Sequence, residues 1–219
     1  MGKHLPQIIE LLKKEKPDIV ALQEVVRITG EKENTAEILA GKLDYHWRFA
    51  PVPLPFPDRN IAEWGEGILS RYDIETSEII RLSENPEHIG LMANITINHR
   101  ILHVISTHLT HTHQVPSEHQ ESEARSLVRL SPKSGTVIMG DFNALPESKT
   151  VSIMRGAFVD ADSANQPTWC VYPDGCRVCR LSEVKYRLDY MFTTGDLKAE
   201  AYRTISSDGS DHLPIAATI

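Results

Sequence analysis

The chain has 219 residues, 41% of them hydrophobic and 24% charged, which suits one large α/β domain that buries its own core without staples. Its formal net charge of −7 excludes a protein that holds duplex nucleic acid mainly by bulk charge, because such binding needs a surplus of Lys and Arg to displace counterions. Small phosphorylated substrates and a local basic patch stay open.

Leu5, Ile8, Ile9 and Leu12 recur at helical spacing, so the chain opens with an amphipathic helix that Lys16-Pro17-Asp18 ends. Ile19-Val20-Ala21-Leu22 reads as a short buried strand with Gln23-Glu24 at its C-terminal end. A helix is predicted over Thr35 to Leu43 and a strand over Tyr45 to Val52. Prolines 51, 53, 55 and 57 then alternate with Val52, Leu54 and Phe56, which predicts an extended loop. From Gly67 the pattern turns to β, with Ile68-Leu69, Ile74 to Leu82, Ile89 to Ile97 and Ile101 to Leu109, the last two joined by a turn at Asn98-His99-Arg100. Glu118 to Leu130 reads as a helix, Val137-Ile138-Met139 as a buried strand and Ser148 to Arg155 as a short helix. Gln166 to Val184 reads as an irregular loop, and Tyr186 to Thr193, Ala199 to Ile205 and Leu213 to Ile219 as closing strands. No repeat or linker interrupts the pattern, so one domain over residues 1–219 is expected. No apolar run is long enough to span a membrane, and Met1 to Pro6 lacks a signal-peptide hydrophobic region, which makes a cytoplasmic location the expectation.

Polar residues recur at strand ends. Glu24 follows Ile19 to Gln23, His108 follows Val104 to Thr107, and Asp141 and Asn143 follow Val137 to Gly140. Asp189 lies within Arg187-Leu188-Asp189-Tyr190-Met191, and Asp211-His212 precedes Leu213-Pro214-Ile215. Taken singly, each has an ordinary reading: a solvated strand-end charge for Glu24, a turn for Asp141-Phe142-Asn143, a cross-strand pair for Arg187 and Asp189, a loop for Asp211-His212. If the strand ends share one edge, the acids, histidines and amide converge on one cleft. Several carboxylates in one cleft repel unless a cation neutralises them, and an all-oxygen ligand set suits Mg²⁺, with Mn²⁺ as the alternative.

The blocks Pro17-Asp18-Ile19-Val20-Ala21-Leu22-Gln23-Glu24-Val25, Gly67-Ile68-Leu69-Ser70-Arg71, Ser106-Thr107-His108-Leu109, Gly140-Asp141-Phe142-Asn143, Arg187-Leu188-Asp189-Tyr190 and Ser210-Asp211-His212-Leu213-Pro214 stand in the order found in the endonuclease/exonuclease/phosphatase superfamily, which the chain resembles from about Leu5 to its C-terminus. That superfamily includes pancreatic-type deoxyribonucleases, neutral sphingomyelinases and inositol polyphosphate 5-phosphatases. The resemblance implies an α/β (α+β) four-layer sandwich, two mostly antiparallel mixed sheets packed face to face with flanking helices. It implies Mg²⁺-dependent hydrolysis of a phosphodiester or phosphomonoester by in-line attack of water. Glu24 resembles the metal carboxylate and Asp211 a further metal-side carboxylate. Asp141 resembles the residue that positions or deprotonates the water, Asn143 the amide that binds a phosphate oxygen, and His212 the acid/base and phosphate-binding partner that Asp189 orients. His108 resembles a phosphate-contacting histidine that protonates the leaving oxygen. Glu63 matches a carboxylate that orients that histidine, with Glu66 as a rival. Thr107-His108-Leu109 resembles the deoxyribonuclease, sphingomyelinase and phosphatase branches more than the abasic-site branch. The implied partner is a phosphoester: a small molecule, a lipid headgroup or nucleic acid.

Members of this superfamily usually begin with a strand carrying a metal- or phosphate-binding Asn. This sequence opens in the helix that follows it, so the first strand is expected to be absent, and a relative that binds a phosphorylated ligand without turnover is the second reading. His111, His113 and His119 read as exposed loop histidines. Cys170, Cys176 and Cys179 make a poor disulfide framework and lack a nearby fourth zinc ligand, so reduced thiols are expected. Trp47 reads as core, with Trp64 and Trp169 as candidates for a substrate groove. Substrate choice is expected to rest on the loops Pro51 to Glu66 and Gln166 to Val184.

Overall fold

The computed structural model describes residues 4–54, 60–112, 114–171 and 184–219. Helix α1 (Leu5–Glu15) carries Pro6 in its first turn, where a missing N–H leaves no bond unmade. It ends at Lys16, whose left-handed φ of 50° returns its N–H to Leu12, and Pro17 bars continuation. Strand β1 (Ile19–Ile28) leads to α2 (Thr35–Leu43), which opens on a capping box: Asn34 accepts from Glu37 N and the Glu37 carboxylate accepts from Asn34 N. Then come β2 (His46–Val52), β3 (Ile61–Ser70), β4 (Ile74–Arg81), β5 (Ile89–Ile97) and β6 (Arg100–His108). Helix α3 (Glu118–Leu130), capped by Ser117, precedes β7 (Thr136–Asp141), and α4 (Lys149–Arg155), capped by Ser148, precedes β8 (Val159–Asp160). Strands β9 (Asp189–Thr193), β10 (Glu200–Thr204) and β11 (Ile215–Thr218) close the chain.

One sheet has the order β4-β5-β6-β7-β9-β8, a second has β1-β3-β2, and β10-β11 form a separate two-stranded ribbon. Strands β6 and β7 run parallel while the other pairs are antiparallel, so the sheet is mixed. A parallel pair needs a crossover, and α3 supplies it. Between the facing sheets lie Ala50, Ile68, Leu91, Ala93, Ile95 and Val104. Helices α3 and α4 cover the larger sheet through Ala124, Leu127, Val151 and Met154 packed with Ile105, Ile138 and Tyr190. Helices α1 and α2 cover the smaller one through Leu5, Ile9, Leu12, Ala36 and Leu39 packed with Val25 and Leu69. The layering is therefore helix, sheet, sheet, helix, the sandwich expected from the sequence. Among the described residues no helix is long and apolar enough to cross a membrane.

Strands β1 and β3 differ from their sequence-based expectation. Strand β1 does not end at Gln23-Glu24; the register slips there and pairing resumes at Val25. Strand β3 begins at Ile61 rather than Gly67, so residues 61–66 of the expected Pro51 to Glu66 loop are strand. Gly65 hides this strand from propensity, yet it is required there: a Cβ would stand 2.0 Å from the Ala50 carbonyl of β2. Among the described residues the smaller sheet stops at β1, which pairs with β3, and β11 pairs with β10. Helix α1, packed on the smaller sheet, also touches the ribbon region, with Ile8 against Gly209 and Glu15 2.8 Å from Arg203.

Candidate active site

The larger sheet sets the site by register. His108 on β6 lies beside Asp141 on β7, and Asp141 beside Asp189 on β9, so three polar residues form one row across adjacent strands. Close approach of β6 and β7 demands Gly140, where a Cβ would lie 1.8 Å from Thr107 O. Beyond Asp141 the chain turns: Asn143 N donates to Asp141 Oδ1 at 2.7 Å, and Asn143 adopts φ 49°, a left-handed value that Asn tolerates. Buried Phe142 between them packs edge-on to Tyr190 and Phe192 with centroids 5.4 and 5.3 Å away. Aromatic burial of this kind contributes about 1.5–3 kcal/mol and pins the two polar residues on either side.

His212 comes from the segment before β11. Its backbone N–H donates to Ser210 Oγ, and the segment bridges to Trp169. Its Nδ1 lies 2.8 Å from Asp189 Oδ2 and its Nε2 lies 3.8 Å from Asp141 Oδ2. Burial opposes a charge on His212, but Asp189, Asp141 and Asp211 overcome it and push its pKa up to about 10. Burial raises Asp141 and Asp189 adds to the rise, while His212 and the Asn143 N–H oppose it.

His108 behaves in the opposite way. Burial, helped by His88 and His212, pushes it down to about 4 against the pull of Glu24 and Asp189. Its Nε2 lies 2.9 Å from Asn143 Nδ2, which also donates to Leu109 O at 3.0 Å. An amide nitrogen only donates, so Nε2 accepts and the ring is neutral. A neutral, accepting His108 is not arranged to protonate a leaving oxygen. Asn143 Oδ1 lies 2.8 Å from His111 Nδ1, so His111, expected as an exposed loop histidine, touches this cluster although it remains exposed.

From the smaller sheet, Glu24 enters the cleft. It is open to solvent at the mouth but crowded by protein, and lost hydration raises its pKa; Asp141 and Asp211 add to this, while His108 and His212 oppose it. Asp211 accepts from Trp169 Nε1 at 3.2 Å. Trp169 thus sits at the rim with its ring 6.2 Å from that of His212, whereas Trp64 is buried with Val26 and Ile61, and Trp47 packs under α2. Ligand atoms of Asp141, Asp189 and His212 lie within 4.8 Å of one another, a spacing a metal ion could also use. The 2.8 Å contact of His212 Nδ1 with Asp189 is instead the length of a charge-assisted hydrogen bond.

Glu63 does not join this cluster. Its carboxylate is bidentate with Arg27, at 3.0 Å for both contacts, and that guanidinium holds its pKa down. Glu66 is buried and contacts Ser106 rather than His108. His119 pairs with Glu123 at 3.2 Å. Cys170 is buried, while His113, Cys176 and Cys179 lie outside the described residues. Two supports have no sequence signature. Gln120 of α3 donates to Thr110, Phe142 and Asn143 carbonyls at 2.8, 3.1 and 3.1 Å, and buried Glu123 accepts from Thr110 N and Oγ1. Both are ordinary polar residues in a helical pattern, and only the fold brings them to the loops they hold.

Two facing sheets with acids and histidines gathered at one end of both define a sandwich class rather than a closed barrel. The chain belongs to the Endonuclease/Exonuclease/phosphatase family, whose model matches residues 4–212. No curated protein sequence matches it. Among solved structures it resembles an endonuclease/exonuclease/phosphatase family protein from Leptotrichia buccalis, at 16% identity and TM-score 0.78 over 99% of this chain and 92% of that one. It also resembles D. rerio TDP2 complexed with single strand DNA product, at 18% identity and TM-score 0.68 over 98% and 90% of the two chains. The human Nocturnin catalytic domain with bound sulfate anion matches at 19% identity and TM-score 0.65 over 100% and 87%. At these identities the likeness speaks to the fold.

Proposed function

We propose that the protein is a metal-dependent hydrolase of phosphodiester or phosphomonoester bonds, acting by in-line attack of an activated water. The observation that carries this reading is the His212 ring held between Asp189 and Asp141, with its charge retained beside an acid whose own pKa is raised. A charged imidazole and a carboxyl of raised pKa sharing one cleft mark proton-transfer chemistry. The sulfate and the DNA product named for the two relatives above fit the same substrate class.

The donor set fits a hard divalent ion, Mg²⁺ or Mn²⁺. Glu24, Asp141 and Asp211 offer only oxygen, and Asp141 and Asp211 both raise Glu24, which is the mark of repulsion that a cation relieves. Glu24 and Asp211 would hold the ion, which supplies Lewis-acid neutralisation of phosphoryl charge. The protein's own residues do the rest. Asp141 positions the water and takes its proton. His212, held by Asp189 with Nε2 inward, donates to a phosphate oxygen and gives that proton to the leaving oxygen as the P–O bond opposite the water breaks. Asn143, its Oδ1 held by His111 and its two amide hydrogens by His108 and Leu109 O, presents its amide to the phosphate group by giving up the His108 contact. His108 orients that amide while neutral. Turnover of a chromogenic phosphodiester and its monoester with Mg²⁺, Mn²⁺ or EDTA tests the reading; rates with either metal that match the buffer blank would sink it, and the diester/monoester ratio assigns the substrate class.

A further inference from the structure

Glu66 faces the irregularity in β1. Leu22 pairs with Gly67 and Val25 with Gly65, so Gln23 and Glu24 together oppose Glu66 alone. That two-against-one count is a β-bulge, a device that bends a strand and re-aims a side chain. Glu24 sits in it with φ 55°, a left-handed value that an L residue with a long side chain keeps only when its surroundings hold it.

Ser106 of β6, fully buried, reaches this bulge from the opposite sheet. Its Oγ lies 3.0 Å from Gln23 Nε2, 3.2 Å from Leu22 O and 2.8 Å from Glu66 Oε2. A serine hydroxyl has one hydrogen to give and two lone pairs to receive with. Gln23 Nε2 donates into one lone pair. The Ser106 hydrogen faces Leu22 O and Glu66 Oε2, so one buried hydroxyl ties β3 and the opposite sheet to the two residues that lead into the bulge.

We propose that Glu66, through Ser106, locks the β1 bulge that aims Glu24 into the cleft. It acts as a positioning residue, and the assignment rests on Glu24 being the metal-side carboxylate.

The test compares wild type with Glu66→Gln, Glu66→Ala, Ser106→Ala and Glu24→Gln. Amide exchange at Glu24 and Val25, measured without metal, should quicken in Glu66→Ala and Ser106→Ala and stay at the wild-type rate in Glu66→Gln. Mn²⁺ affinity, measured without substrate, should weaken by about tenfold or more in Glu66→Ala, the usual cost of removing a supporting partner, and be preserved in Glu66→Gln. Wild-type exchange in Glu66→Ala overturns the proposal, as does a Glu66→Gln protein that loses Mn²⁺ as fully as Glu24→Gln, which would make Glu66 a ligand itself. If wild type binds no Mn²⁺, the metal reading fails, while the exchange results still decide the role of Glu66.

Discussion

His212 Nδ1 stands 2.8 Å from Asp189 Oδ2 while Nε2 faces Asp141 Oδ2 at 3.8 Å, so one carboxylate fixes the ring and the other shares its reactive edge. A consequence follows for pH. Asp141 works without its proton and His212 works with one. Activity should therefore rise as pH climbs through the raised Asp141 value and fall as pH passes about 10, where His212 discharges. Asp189 raises both groups, so Asp189→Asn should move both limbs of the kcat/KM profile to lower pH. An unmoved alkaline limb in that variant would contradict the pairing.

The amide of Asn143 is held at both ends, by His111 on Oδ1 and by His108 and Leu109 O on Nδ2. His111→Ala leaves the second set intact. It should lower kcat by about 10-fold with little change in KM, well short of the ~10²-fold that gross misplacement of a group costs. Asn143→Ala, which removes the donor itself, should cost about 10²–10³-fold. Steady-state kinetics of the two variants decide this, and equal losses would deny His111 its secondary place.

These two relationships were unequally legible in the sequence. Asp189 and His212 stand in blocks with strand patterns around them, so their meeting follows once the strands share an edge. Helix α2, strand β5 and helix α3 were readable for the same reason: period and caps are local. The His111 contact is not local, because it depends on how the loop after β6 is tied down by Gln120 and Glu123 of α3. The bulge at Gln23-Glu24 and the extension of β3 through Gly65 were hidden too, since register is a property of a strand pair and glycine reads as a break. Glu63 had the spacing of a cleft residue, but strand alternation places it beside Arg27.

Arg187 underlies Asp189 in the same chain segment. It is 2% exposed, meets Asp160 through two contacts at 2.6 and 3.0 Å, and lies 4.1 Å over the Tyr190 ring. Arg187→Ala empties a buried site and breaks its pairs with Asp160 and Asp162, leaving Asp160 to Arg155, and should cost about 3–5 kcal/mol. Arg71→Ala, which removes an exposed pair with Asp18, should cost about 0–1 kcal/mol. Denaturant unfolding of both variants checks the contrast; similar losses would mean that Arg187 is not the anchor.

Phe142 joins stability to function. Phe142→Ala opens a cavity against Tyr190 and Phe192 and should cost about 3–5 kcal/mol. Because Asp141 and Asn143 flank it, kcat should fall as well in the protein that remains folded. A destabilised variant with wild-type kcat would show that the turn holds its geometry without this ring.

The most direct test of the account is hydrolysis of a chromogenic phosphodiester with Mg²⁺ by wild type, Asp141→Asn and His212→Ala, each shown to be folded. The account predicts metal-dependent turnover in wild type that both substitutions abolish. Undiminished turnover in both variants would contradict the site, and a folded wild type that binds phosphate but turns over neither diester nor monoester would make the protein a phosphoester-binding relative rather than a hydrolase.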